Sequence, residues 1–317
     1  MSLRDLGFSV DEFSGGWPDR AVTTTAHEAV RAVLSPDDVD ELVTHRGLRM
    51  PAFRMARDGK LVNPRHYTLA SGSDTASTVG QLADAEGIAR QVGRGSTLVL
   101  QGLQRFHPPA GRLARALAGD LGARVFANAY LTPDSAQGFA EHTDPYSAFL
   151  VQLAGAKRWL VRPSADAPAQ EVVLRPLDVL WLPAGWLHAG VALPGSPSVH
   201  LTLAVNPLPL TDVVTAITES LMRQVDGETL PPLPADNAQH VLEREVDQLA
   251  ARLRAALEGV DTKELARTLL ARSVEGTAAP SDRVSTVLGF APPDAPTGTG
   301  TPGDGGSRPG EPGPAAR

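Results

Sequence analysis

The sequence predicts a mainly β protein with helical additions, centred on an antiparallel barrel or double-sheet jelly roll. Three observations carry that expectation. Between residues 124 and 206, six short apolar or alternating runs follow one another at about 8–12-residue spacing, separated by Gly, Pro and Asp turns. After Pro207-Leu208-Pro209 the apolar spacing changes to i, i+3, i+4, the period of a helix. Before residue 124, helical and extended runs are mixed.

Taken in order, residues 1–123 read as an α/β lead-in packing on the barrel. Ser35 is placed to cap a helix opened by Pro36. Asp58-Gly59, between two extended runs, predicts a hairpin turn. Residues 77–92 carry Val79, Leu82, Ile88 and Val92 at helical spacing, 97–100 form a short buried strand, and 111–121 an Ala/Leu/Arg-rich helix. The β core is expected at 124–207, with strands at 125–132, 147–152, 157–162, 172–175, 179–182 and 199–205. A helical region at 208–275 holds runs at 211–225, 237–257 and 261–274, the first two separated by Leu230-Pro231-Pro232-Leu233-Pro234. That region is expected to serve homodimerisation. The last 27 residues, 291–317, contain seven prolines, seven glycines and no large apolar side chain, so they are expected to stay disordered.

Composition excludes several classes. The chain of 317 residues is long enough to bury a sizeable core. Cysteine is absent, which removes disulfide scaffolds, thiol nucleophiles and zinc-thiolate sites. No apolar run is long and unbroken enough for a membrane span, and no secretory signal is visible, so a cytoplasmic location is expected. With 36 acidic against 29 basic residues, direct nucleic-acid binding is not expected.

Four places can carry chemistry. In Glu141-His142-Thr143-Asp144, residues i and i+2 of an extended segment point to one side, so His142 and Asp144 can share a metal. A turn histidine beside a capping aspartate fits the pattern equally well. His188 follows Trp181-Leu182-Pro183-Ala184-Gly185-Trp186-Leu187, far enough along for strands to fold back beside His142. Two imidazoles and a carboxylate suit non-haem Fe(II), although catalytic zinc uses the same donors. Lys157 is one of three lysines, on the strand face of Trp159 and Val161. Aimed into an apolar barrel it needs an anion; the alternative is a lysine that snorkels to solvent. Asn128, Tyr130 and Thr132 alternate along one strand and line either a pocket or a solvent face. His27, His45, His66, His107, His200 and His240 read as surface or structural histidines.

These motifs together resemble a known family. Asn128-Ala129-Tyr130-Leu131-Thr132-Pro133, Gln137-Gly138-Phe139-Ala140-Glu141-His142-Thr143-Asp144, Phe149 through Lys157-Arg158-Trp159, Asp178 through His188, and Ser198-Val199-His200-Leu201-Thr202 look like the JmjC-type cupins. The likeness is nearest to the branch of ribosomal-protein oxygenases, which hydroxylate arginine or histidine. It implies a double-stranded β-helix with His142, Asp144 and His188 as ligands of Fe(II). It further implies Lys157 as anchor of the distal carboxylate of 2-oxoglutarate, with Asn128, Tyr130 and Thr202 at or near that co-substrate. The reaction so implied consumes O2, converts 2-oxoglutarate to succinate and CO2, and hydroxylates a C–H bond. Two departures stand out. Leu177-Asp178 replaces the usual Gly-Asp, and Ala204 stands where a hydroxyl residue is common.

The expected function is therefore a 2-oxoglutarate-dependent hydroxylase acting on an amino-acid side chain of a protein or peptide, ribosomal proteins among the candidates. Tyr146, Gln137 and Trp186 are expected to shape the pocket near the metal. Two alternatives remain: the same chemistry on a small molecule or biosynthetic peptide in a natural-product pathway, and a non-catalytic metal-binding cupin. Lysine demethylation ranks lower, because zinc-binding cysteines and chromatin-reading motifs are absent.

Overall fold

Capping and turn chemistry set the N-terminal elements. The computed structural model describes residues 1–69 and 80–274. The expectation for 291–317 and the first residues of the helix expected from 77 lie outside the described residues. A short helix α1 (Asp11–Ser14) precedes strand β1 (Val22–Thr25) and helix α2 (Pro36–His45). Ser35 caps α2 reciprocally: its Oγ accepts from the Asp38 N–H at 3.1 Å, and the Asp38 carboxylate accepts from the Ser35 N–H at 2.8 Å. Strands β2 (Phe53–Arg57) and β3 (Lys60–Leu61) join through Asp58-Gly59 at φ +49° and +80°, the left-handed pair that a two-residue hairpin turn requires.

Helix α3 (Ala85–Val92) is shorter than its apolar period predicted. Gln81 sits at φ +62°, and Leu82 and Ala83 form isolated bridges with Arg49 and Thr68, so tertiary pairing overrides the helical spacing of Leu82. Strand β4 (Thr97–Leu100) is wholly buried. Helix α4 (Pro108–Leu121) starts three residues before the expected Gly111, with two prolines in its first turn, where no N–H partner is needed.

The remaining strands are β5 (Arg124–Thr132), β6 (Ser147–Ala154), β7 (Lys157–Arg162), β8 (Gln170–Leu174), β9 (Asp178–Leu182), β10 (Leu187–Ala192) and β11 (Ser198–Asn206). They form two antiparallel sheets, one of eight strands in the order β1-β9-β6-β11-β5-β4-β2-β3 and one of three in the order β10-β7-β8. This is the expected double-sheet jelly roll, widened by four strands of the lead-in. One face of the large sheet packs on the N-terminal helices through Phe149, Val151, Trp181, Leu201, Leu203 and Leu113, all fully buried. Each such side chain contributes about 1.5–3 kcal/mol. The Trp181 indole N–H donates to the Pro18 carbonyl at 3.0 Å, so its burial leaves no donor unpaired. The other face meets the small sheet across Leu150, Leu180, Trp159 and Val161.

Leu177, where the resemblance calls for glycine, keeps the glycine-like turn at φ +77°. A left-handed leucine costs about 1–2 kcal/mol. Two backbone hydrogen bonds hold it, from its own N–H to Gln152 O at 2.8 Å and from the Ala26 N–H to its carbonyl at 2.7 Å. Helices α5 (Leu210–Met222), α6 (Ala238–Glu258) and α7 (Thr262–Val274) follow β11. Among the described residues no helix is long and apolar enough to cross a membrane.

Candidate metal centre

His142 and Asp144 lie on the loop between β5 and β6, and His188 lies on β10. The loop is not a strand, as the sequence implied, but it pairs with β10 at one point. The His142 N–H donates to His188 O at 3.1 Å, and the His188 N–H donates to His142 O at 2.9 Å. The Gly185 N–H donates to the Asp144 carbonyl at 2.8 Å, from a turn in which Gly185 has φ +76°. Backbone pairing thus brings the three side chains together. One ligand atom from each lies within 4.8 Å of the others, and His188 Nε2 is 3.6 Å from Asp144 Oδ2.

The donor set fits a divalent metal. His142 Nδ1 is 2.9 Å from the Ala140 carbonyl, and His188 Nδ1 is 3.0 Å from the Trp186 carbonyl. A carbonyl only accepts, so both Nδ1 atoms carry the proton and both Nε2 atoms are left as bases, the tautomer a metal ligand needs. Burial holds His188 below the usual histidine pKa, which favours the neutral ring.

A cavity opens from this cluster between the two sheets. Lys157 reaches into it instead of snorkelling: it is 4% exposed, its Nζ 3.3 Å from Thr132 Oγ1 and 5.0 Å from the Trp159 ring centroid. Burial without a carboxylate partner pushes its pKa down to about 7. Gly190 on β10 makes room, since a Cβ there would stand 2.7 Å from Lys157 Cε and 3.0 Å from the Trp159 ring. Tyr130 and Thr202 line the same cavity, as do Tyr146 and Trp186. Burial pushes the Tyr130 phenol up to about 12, and burial together with the Asp144 carboxylate also raises Tyr146.

Three residues stand differently from their reading in the sequence. Gln137 does not line the cavity; its amide donates to the Phe139 carbonyl at 3.0 Å and braces the loop. Asn128 also stands outside it, accepting from the Gly102 N–H at 2.9 Å and hydrogen-bonding to the Tyr130 phenol. His200, read as structural, is a cavity wall: it stacks on Tyr130 at 4.7 Å and 9°, and its buried Nδ1 has no hydrogen-bond partner among the described residues. Alternation puts His200 on the strand face of Thr202, but the register that sets it opposite Tyr130 is seen only in the fold.

A second, more open cleft shares Tyr146 with the cavity. It is lined by Gln101, Gln104, Arg105, Phe106, Phe126, Asn128, Ala204 and Asn206, so it offers carboxamides, one guanidinium and two aromatic rings but no carboxylate.

Residues 100–213 match the family described as JmjC domain. A histidyl-hydroxylase and lysine-specific demethylase NO66 of Drosophila persimilis is 38% identical over 96 residues, 25% of this chain and 14% of that protein. Ribosomal oxygenase 1 of Danio rerio is 33% identical over 120 residues, 32% of this chain and 22% of that protein. The matched stretch is thus less than a quarter of either relative. Among solved structures, the Escherichia coli ribosomal oxygenase YcfD in complex with cobalt and 2-oxoglutarate aligns with TM-score 0.52 at 18% identity, over 83% of this chain and 69% of that one. At that identity the likeness is one of fold. His142, Asp144, Lys157 and His188 all lie within the residues that match the JmjC domain family.

Proposed function

We propose that this protein is an Fe(II)- and 2-oxoglutarate-dependent oxygenase that hydroxylates an amino-acid side chain of a protein, with ribosomal proteins as the substrate class. The observation that carries the reading is the pairing of a His142/Asp144/His188 cluster with a buried, carboxylate-free lysine in one cavity. The names of the relatives support the ribosomal class.

Bound Fe(II) supplies oxygen activation and the oxidative decarboxylation of 2-oxoglutarate. The protein supplies the rest. His142, Asp144 and His188 hold the metal through two imidazole Nε2 atoms and a carboxylate. Lys157 takes the distal carboxylate of 2-oxoglutarate, a charge-assisted contact inside a dry pocket, and Thr132 orients its ammonium group. Tyr130 and Thr202 donate hydroxyl hydrogen bonds from the opposite sheet. Leu150 and Trp159 exclude water. The carboxamide-lined cleft beyond Tyr146 suits a peptide main chain better than a small molecule, because Asn206 and the Gln101 side-chain oxygen can pair with backbone groups, while the Gln101 amide N–H is held by the Pro51 carbonyl at 2.8 Å.

Anaerobic titration with Fe(II) and 2-oxoglutarate tests the core of this reading. A visible charge-transfer band is expected in the wild type and not in His142→Ala, with Lys157→Ala requiring far more 2-oxoglutarate. Incubation with ribosomal proteins under air should then add one oxygen atom to a side chain, read by mass spectrometry. Bound Fe(II) without any band overturns the co-substrate assignment. A band without any oxygenated ribosomal protein overturns the substrate class.

A further inference from the structure

The loop that carries His142 and Asp144 is gripped from outside the matched JmjC stretch. At the β2–β3 turn, the Asp58 N–H donates to Gln137 O and the Gly59 N–H to Gly138 O, each at 3.0 Å. Gly59 lies so close that an added Cβ would stand 3.1 Å from the Ala140 Cβ. Earlier on the same hairpin, the Arg54 guanidinium covers the Phe139 ring at 4.9 Å from its centroid. Phe139 in turn packs on the His142 ring at 6.0 Å and edge-on to Tyr130 at 6.2 Å. Among the described residues Arg54 forms no ion pair and its buried Nε has no hydrogen-bond partner, which leaves the guanidinium free to lie over the ring.

We propose that the β2–β3 hairpin is a clamp that sets the metal loop, with Arg54 and Gly59 as positioning residues acting on His142 through Phe139 and Ala140. This rests on the metal-centre part of the reading above. Two main-chain hydrogen bonds fix the height of the loop over the large sheet. The guanidinium fixes the Phe139 ring, and the ring limits how far the His142 imidazole can turn. From the other side, the Arg162 guanidinium pairs with the Glu141 carboxylate, so the loop is held between both sheets. Loss of such an outer support typically weakens a metal site about 10–100-fold while leaving the fold intact.

The test is Co2+ titration of the full chain without 2-oxoglutarate, followed by the ligand-field spectrum, with thermal melting as a check on folding. Arg54→Met and Gly59→Val are each expected to weaken Co2+ binding about 10-fold and to alter the spectrum. Arg54→Lys keeps a cation over the ring and is expected to recover most of the affinity, a rescue that mere packing would not produce. Arg46→Met, at the exposed end of α2 and outside the hairpin, is the control. If Arg54→Met fails to fold, Gly59→Ala and Phe139→Leu carry the same comparison. Folded variants that bind Co2+ within about twofold of the wild type overturn the clamp. So does a wild type that does not bind Co2+. A wild type that behaves as described but forms no succinate with Fe(II) leaves the clamp standing and defeats the oxygenase reading instead.

Discussion

Lys157 points its ammonium group at the hydroxyl of Thr132, 3.3 Å away, with no carboxylate to neutralise it among the described residues. Burial lowers its pKa from 10.5 to about 7. The sign of the consequence follows from proton counting: between about 7 and 10.5 the unfolded chain binds a proton that the folded chain does not. Stability of the ligand-free protein therefore rises with pH across that window. Binding of a carboxylate reverses the shift, so 2-oxoglutarate should take up a fraction of a proton near pH 8. Calorimetry in two buffers of different ionisation enthalpy measures it; equal heats in both would defeat the assignment. Lys157→Met should abolish this uptake and raise the ligand-free melting point by a few degrees, as about 1 kcal/mol corresponds to about 2–4 °C at this size.

Gly190 should separate co-substrate from metal. A Cβ at this position collides with Lys157 Cε and the Trp159 ring. Gly190→Ala is expected to weaken 2-oxoglutarate binding about tenfold or more, the size of a 1–3 kcal/mol overpacking penalty. Co2+ affinity should stay near wild type, since the atoms nearest to an added Cβ belong to Lys157 and Trp159. A parallel fall in both would show that the strand as a whole has moved.

Metal removal should lower stability by mass action. At 100-fold excess over its dissociation constant a divalent ion adds about 2.7 kcal/mol. Melting with Mn2+ and with chelator should therefore differ by several degrees in the wild type. The difference is expected to vanish in Asp144→Ala and His188→Ala, and its persistence there would place the ion elsewhere.

The cleft beyond Tyr146 should govern the protein substrate alone. Gln101→Ala and Asn206→Ala are each expected to raise the KM for an oxygenated peptide about 5–10-fold, the loss of one hydrogen bond. The dissociation constant of 2-oxoglutarate should not change. If it rises equally, the cleft is not a separate surface.

Sequence pattern revealed six apolar or alternating strands between residues 124 and 206 and hid the one that matters most. β10 reads Leu-His-Ala-Gly-Val-Ala, too poor in β-branched and aromatic residues to announce itself, because Gly190 must stay small beneath Lys157. β1 is three threonines after a valine, and only its pairing with β9 makes it a strand. The cluster of His142, Asp144 and His188 was legible only through the motifs taken together, since His142-Thr143-Asp144 alone fits a turn histidine beside a capping aspartate equally well. Arg54 was not, since a guanidinium over a ring far along the chain leaves no local pattern. Nor was the wall formed by His200, whose role comes from the register that sets it opposite Tyr130.

The reciprocal backbone hydrogen bonds between His142 and His188 make the two imidazoles neighbours by main-chain pairing, not by the ion they would share. A socket assembled in this way keeps its shape when emptied, so exchange of one divalent ion for another need not pass through an unfolded loop. The main chain thus carries the cost of bringing the two imidazoles together, and an entering ion has little ordering left to do.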